Sequence, residues 1–346
     1  MIDVAVVGLG YFSQLHLEAW SSLSEVRLTL GVDPDPERRA WAESTFSVAT
    51  AADTAEISAD VVDIVAPPPA HRALILELAA PGRLLICQKP FATSLGEARG
   101  LVDHAEAQGA RLIIHENFRF QPWYRQIKAE LAAHRLGDLY SARFDLRPGD
   151  GRGPEAYLAR QPSFQRMERF LIHETGVHFV DLFAWLFGPI TSVYAELHQL
   201  NPAIAGEDAG HVIFTHKGGM RSHFDGNRLS DHASDNLRRT MGEMRIEGSG
   251  GVLSLDGQGV LSLRGFESRT SAPVPIKAPV DDSRFGGGCV EALIAHVVRA
   301  LRGEGALEND ARDYLRTLAV VEAIYDSAAT GRRVDVPPDV PDGGEV

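Results

Sequence analysis

The sequence predicts an α/β chain, with an N-terminal doubly wound parallel sheet followed by an α+β domain built on a large, mostly antiparallel open sheet. Three observations lead there. Short apolar strands alternate with helix patterns over residues 1–120. A glycine-rich turn joins the first strand to the first helix. After Pro122 the apolar residues switch to strict alternation, the period of a half-buried strand. A parallel sheet is covered on both faces and so reads as apolar runs, whereas an antiparallel sheet with one open face alternates. The 346 residues fit two domains, 1–121 and 122–336, with a loose tail at 337–346 rich in proline, glycine and acid.

In order, residues 2–7 read as a buried strand and 11–23 as a helix. Residues 26–32 form the next strand, and 34–44 a helix with proline near its start. A third strand, 61–66, ends in Pro67-Pro68-Pro69, and 71–78 continues as helix. Strand 84–87, helix 95–108 and strand 111–115 complete the βαβ pattern. Beyond Pro122, residues 141–146 and 192–198 alternate, and 211–215 and 220–224 flank Gly218-Gly219 as a hairpin. Strands at 244–247, 252–255 and 260–263 follow, then long helices at 290–302 and 311–328.

Composition sets the outer bounds. Hydrophobic residues at 44% and charged residues at 23% describe a globular chain, not a disordered one. A net charge of −13 argues against nucleic acid and against an anionic membrane surface as partners. Two cysteines, Cys87 and Cys289, cannot form a disulfide framework and suit a reducing compartment. No basic leader and no apolar run of membrane-spanning length is seen, so the expected location is the cytoplasm.

The turn after the first strand reads Gly8-Leu9-Gly10-Tyr11-Phe12-Ser13. Gly8 permits a tight turn, and Gly10 lets a pyrophosphate approach the backbone N–H groups at the helix N-terminus. The third small position holds Ser13 instead of glycine or alanine. Asp33, at the end of the second strand, is placed to take adenosine ribose hydroxyls. Gly8, Gly10, Tyr11, Phe12 and Asp33 are therefore expected to contact a dinucleotide. An acid repels a 2′-phosphate, which favours NAD, while Arg38 and Arg39 nearby keep NADP open.

Gln88-Lys89-Pro90 sets a lysine just past the carboxyl end of the fifth strand, the edge where open α/β sheets bind ligands. With the glycine turn, Asp33, the proline-ended strand with His71, and the later Glu174/His178 pair, the chain resembles the Gfo/Idh/MocA family of Rossmann oxidoreductases over nearly its whole length. In that family the segment reads Glu-Lys-Pro, and its lysine contacts both substrate and cofactor. Here Gln88 replaces the glutamate. The resemblance implies cofactor contacts from Pro67, His71, Gln88, Lys89 and Asn117. It also implies that residues 116–122 cross from the cofactor domain to a domain for substrate binding and oligomerisation.

Glu174 and His178 lie four residues apart in an amphipathic helix pattern over 173–187, about 40° apart around a regular helix. A carboxylate beside an imidazole orients the ring and raises its basicity, as a general base requires. The family pattern carries an acid, usually aspartate, four residues before this histidine. Zinc is excluded, because His173 and His178 stand about 140° apart and share no ligand face. No metal is expected. Arg119, Tyr157, Arg166 and Asn227, with His178, are candidate substrate contacts on polar loops.

These residues describe an NAD(P)-dependent enzyme moving a hydride between nicotinamide and a hydroxyl or carbonyl carbon of a sugar, polyol or sugar acid. Lys89 steadies the oxygen, His178 takes the proton and Glu174 holds His178. Two other readings compete: a non-redox sugar enzyme that uses NAD transiently, and a dinucleotide-binding sensor. A homodimer or homotetramer through the second domain's sheet is expected.

Overall fold

Six parallel strands carry the first third of the chain: β1 (Ile2–Val7), β2 (Val26–Val32), β3 (Thr50–Ala51), β4 (Val61–Ile64), β5 (Leu84–Cys87) and β6 (Arg111–Ile114). Their spatial order, β3-β2-β1-β4-β5-β6, reverses between β1 and β4. That reversal opens the crevice where such sheets hold dinucleotides. Every residue of β4 and β5 is buried, which is why β5 is wholly apolar and β4 is apolar but for Asp63. The structure is a computed structural model that describes residues 1–337. The expected loose tail lies, from residue 338 on, outside the described residues.

Four helices cross between these strands: α1 (Ser13–Ser21), α2 (Pro36–Phe46), α3 (Pro68–Leu78) and α4 (Leu95–Ala107). Their starts follow local chemistry. The Asp35 side chain accepts from Glu37 N–H and Pro36 occupies the first turn of α2, while the Ser94 hydroxyl accepts from Glu97 N–H to cap α4.

Among the described residues the chain divides into two compact units, one of Met1–Asn117 with Val290–Arg316, the other of Phe118–Cys289 with residues 317–337. The division differs from the boundaries expected at 121 and 122, because residues 290–316 pack with the first unit. Ile114 N–H donates to Asn309 O at 2.9 Å, Asn309 Nδ2 donates to Glu116 O at 2.8 Å, and Arg312 forks onto Asp103 and Glu106.

The second unit begins with α5 (Pro122–Ala132), which the sequence reading did not include, and continues through β7 (Leu139–Leu146) and α6 (Val177–Phe187). Strands β8 (Ile190–His198), β9 (Ala209–His216), β10 (Arg221–Asn227), β11 (Gly242–Gly248), β12 (Gly251–Leu255), β13 (Leu261–Arg264) and β14 (Ala272–Val274) follow. Helices α7 (Cys289–Leu301) and α8 (Ala311–Thr330) precede the short β15 (Val334–Asp335). The nine strands run β14-β13-β12-β11-β7-β10-β9-β8-β15, antiparallel except for β10 beside β7. At the β9–β10 hairpin Gly218 and Gly219 both have positive φ, 97° and 91°, as the expected turn requires.

One face of this sheet is the core. Phe179 of α6 stacks on Phe144 of β7 with ring centroids 4.1 Å apart and lies 5.2 Å from Phe224 of β10, and Phe183 meets Phe214 of β9 edge-on. These aromatic contacts fix the rotation of α6 about its axis, and with it the direction of the neighbouring His178. The other face carries charge: Arg143 and Arg147 converge on Asp225, and Arg245 pairs with Glu247. Among the described residues no helix is long and apolar enough to cross a membrane.

Candidate active site

The glycine turn has the form a dinucleotide needs. Gly8 has φ 94°, and a Cβ there would come within 2.5 Å of Ala66 N, so only glycine fits. Gly10 differs. A Cβ on it would meet nothing nearer than Arg38 Nη1 at 3.7 Å, so the protein's own packing does not demand glycine and the space beside it stays open. α1 starts at Ser13, after Phe12 at the N-cap position with no side-chain cap bond, and the Ser13 hydroxyl bonds back to Gly10 O at 2.6 Å. Serine thus replaces the third glycine by turning its polar atom into the turn itself. An open cleft of about 380 Å³ lies alongside, lined by Leu9, Gly10, Tyr11, Asp35, Arg38 and Trp41.

Asp33 is built into this turn. Its Oδ2 accepts from Leu9 N–H at 2.8 Å and its Oδ1 from Asp35 N–H at 2.9 Å, with Arg38 Nη1 3.6 Å from Oδ2. A carboxylate oxygen has two acceptor positions, so each can still take a hydroxyl. Arg39 points its Nη1 at the carbonyls of Asp33 and Pro34 and is spent on the backbone.

The strand ends at β4 and β5 hold the other expected contacts of this unit. Pro67 is exposed and begins α3. His71 is buried, with Nε2 2.9 Å from Ala66 O and Nδ1 3.3 Å from Phe91 O, so the ring braces the Lys89-Pro90-Phe91 loop from beneath. Burial holds its imidazole below the ordinary range, and the carbonyl contacts offset only part of that. Asn117 is buried at the end of the unit and Lys89 is half-buried.

Gln88 sits in a polar chain that the sequence did not show. Its Oε1 accepts from Lys89 N–H at 3.0 Å, and its Nε2 lies 3.0 Å from His16 Nε2 and 3.2 Å from His115 Nδ1. His16 Nδ1 is 2.7 Å from Asp63 Oδ2, which also accepts from Trp20 Nε1 at 2.7 Å. The Lys89 N–H fixes which end of the amide is oxygen, so the NH₂ faces both imidazoles. Both facing nitrogens are then acceptors.

In the second unit the regular helix expected over 173–187 is interrupted. Leu171–Gly176 is a π-helical turn, in which Val177 N–H reaches back to Ile172 O, and the α-helix begins only at Val177. Glu174 therefore lies on the π turn and His178 on α6, so the 40° register of a regular helix does not apply to them. Single π turns occur often at functional sites. The His178 ring is buried and lies flat on Phe118, centroids 4.0 Å and planes 2° apart.

The remaining candidates are mostly committed to the fold. Arg119 forks onto Asp181, with Nε 2.9 Å from Oδ2 and a second bond from Nη2 to Oδ1. Tyr157 is buried, its hydroxyl donating to Asp150 Oδ1 at 2.9 Å and accepting from Arg228 Nε at 2.8 Å. Asn227 uses Oδ1 to accept from Leu229 and Ser230 N–H. Arg166 is exposed, ending the turn Pro162–Arg166. Asp150 and Asp181 stand outside the expected contacts, and Arg228, on the same polar segment as Asn227, turns inward to Tyr157, Thr175 and Asp150.

The glycine cradle, the uncapped helix start and an acid at the end of β2 define a dinucleotide-binding Rossmann unit. The profile of the oxidoreductase family with an NAD-binding Rossmann fold matches residues 2–116, and that of the GFO/IDH/MocA C-terminal domain matches 124–254. A D-apiose dehydrogenase from Paraburkholderia graminis is 34% identical, covering 96% of this chain and 89% of the relative. Another from Rhizobium rhizogenes is 30% identical, covering 96% of each. An oxidoreductase from Agrobacterium radiobacter, solved with NAD⁺, L-tartaric acid and magnesium, superposes with a TM-score of 0.86 at 28% identity. That match covers 97% of this chain and 98% of the other. The chain belongs to the Gfo/Idh/MocA family and is an NAD(P)-dependent oxidoreductase.

Proposed function

We propose that the chain oxidises a hydroxyl of a free sugar, with D-apiose the first substrate to test, and passes the hydride to NAD. The observation that carries this is the pair of D-apiose dehydrogenases matched along almost their full length. Fold alone would not distinguish among sugars, polyols and sugar acids. A panel of D-apiose, unbranched pentoses, inositols and aldonates with NAD and with NADP tests it, read by absorbance of the reduced nicotinamide. Fastest turnover on D-apiose with NAD supports the reading. Turnover confined to inositols or aldonates contradicts it.

The chain's own groups divide the work as follows. Gly8, Gly10 and the start of α1 receive the pyrophosphate, Asp33 receives the adenosine ribose hydroxyls, and Tyr11 lines the cleft beside them. NAD, when bound, supplies the hydride acceptor. His178 takes the hydroxyl proton, its ring plane fixed by stacking on Phe118. Glu174 is the carboxylate partner of that base, and Lys89 steadies the reacting oxygen.

We also assign the protein to the cytoplasm and to a homo-oligomer. Two free, buried cysteines support a reducing compartment. The open face of the nine-stranded sheet, with Tyr140 and Ile213 exposed among its charges, supports a second copy of the chain as its cover.

A further inference from the structure

Arg228 follows β10 and is only 2% exposed. Its Nε donates to the Tyr157 hydroxyl at 2.8 Å, and its Nη1 donates to the Thr175 hydroxyl at 2.6 Å and lies 3.4 Å from Glu174 Oε2. Its Nη2 lies 3.3 Å from Asp150 Oδ2. The rings of Phe170, Tyr157 and Phe164 surround the guanidinium at 4.6, 5.3 and 5.9 Å. Burial works against this cation, but Asp150, Glu174 and the Tyr157 hydroxyl act against burial and the net effect holds Arg228 charged.

The bonds have a direction. A guanidinium only donates, so the Thr175 oxygen accepts from Arg228 and its own proton goes to Glu174 Oε2. Glu174 is therefore addressed by two donors, one charged, both converging on the same oxygen. Asp150 accepts from the Tyr157 hydroxyl on Oδ1, while Arg160 lies 3.8 Å from the Oδ2 that faces Arg228. Tyr157 itself holds φ 69°, a backbone conformation that a bulky side chain rarely adopts, and its hydroxyl is locked into the cluster. An apolar side chain would fill the same aromatic cage at less desolvation cost, so filling space does not explain an arginine here.

We propose that Arg228 is a positioning residue for the oxidation: it clamps the π turn through Thr175 and fixes the Glu174 carboxylate in one place and in its ionised form. The inference rests on the reading of Glu174 as partner of the catalytic base. Other ionisable groups around the turn are His173 on it, His178 on the following helix, Glu207, which accepts from Ile172 N–H, and Tyr325, which donates to Glu207. None of these changes in the variants below.

The test compares Arg228→Gln, Arg228→Lys, Thr175→Val and Glu174→Gln in steady state across pH, with NADH affinity measured by fluorescence. Arg228→Gln should lower kcat on the order of tenfold or more, as loss of a supporting partner does. It should also move the acid limb of kcat/KM up by about one pH unit, because a neighbouring cation favours the carboxylate. Arg228→Lys should restore the acid limb while leaving kcat low, and Thr175→Val should lower kcat with KM nearly unchanged. NADH affinity should stay within about twofold in all, as their changes fall outside the dinucleotide unit. If Glu174→Gln is slow while Thr175→Val and both folded Arg228 variants keep wild-type kcat and acid limb, the inference fails and the Glu174 reading stands. If Glu174→Gln behaves as wild type, both fall. Should Arg228→Gln not fold, Arg228→Lys and Thr175→Val carry the same decision.

Discussion

Gln88 stands between two buried imidazoles and the backbone of Lys89, and a glutamate in its place would change the proton count of the site. A carboxylate oxygen would face His16 Nε2 and His115 Nδ1, now 3.0 and 3.2 Å from an NH₂ donor, and one ring would have to take a proton. That ring's folded pKa would rise above its unfolded value of about 6.5. Its contribution to stability would be present below that value and lost as pH rises through the folded pKa. Gln88→Glu should therefore lose melting temperature between about pH 6.5 and 8, where the wild type stays flat. A variant curve parallel to wild type would show that the ring nitrogens are not the acceptors assigned here. Asp33 offers a second residue-scale test. Wild type should bind NAD more tightly than NADP, and Asp33→Ala should narrow the gap by removing the charge that repels a 2′-phosphate. Titration showing tenfold tighter NADP binding by wild type would transfer the role to Arg38.

At the level of elements, β1, β2, β4, β5 and β6 are legible because apolar residues dominate each of them between turn residues, whereas the two-residue β3 is too short to leave a pattern, and the second sheet is legible because inward residues alternate along β7 and β8. α5 carried a signal that was passed over: Trp123 and Ile127, four apart, are both buried, and Pro122 opens the helix. The π turn left no trace in spacing, since any register argument assumes 3.6 residues per turn. Arg228 reads from the sequence as part of a polar loop, open to substrate or solvent, and its burial leaves no local signal because its partners lie 53 to 78 positions away. Elements also set a pH response. His71 braces the start of α3, and His216 ends β9 with Nδ1 2.7 Å from Gly188 O and Nε2 2.8 Å from Ser222 Oγ. Burial lowers the pKa of both. Each binds a proton more weakly folded than unfolded, so stability is full above about pH 6.5 and falls as pH drops below it. Melting temperature should decline from pH 6.5 to 5, and His216→Gln should flatten that decline. An identical slope in the variant would remove His216 from the account.

For the whole molecule, the return of residues 290–316 to the first unit is what sets the compact units apart from the contiguous ranges 1–121 and 122–336. Those contacts join segments nearly 200 positions apart and leave no local pattern. The charged face of the second sheet should make assembly sensitive to salt. Light scattering at micromolar concentration should give a dimer or tetramer that weakens at high ionic strength, and a monomer at low salt would refute assembly through that face. The most direct measurement is the turnover of His178→Ala beside wild type, on the best substrate of the sugar panel with saturating NAD, across pH. Loss of the base should lower kcat by about 10²–10⁴ while NADH binds as before. Near-normal turnover across the pH range would contradict the assignment and leave the stacked Phe118–His178 pair as packing.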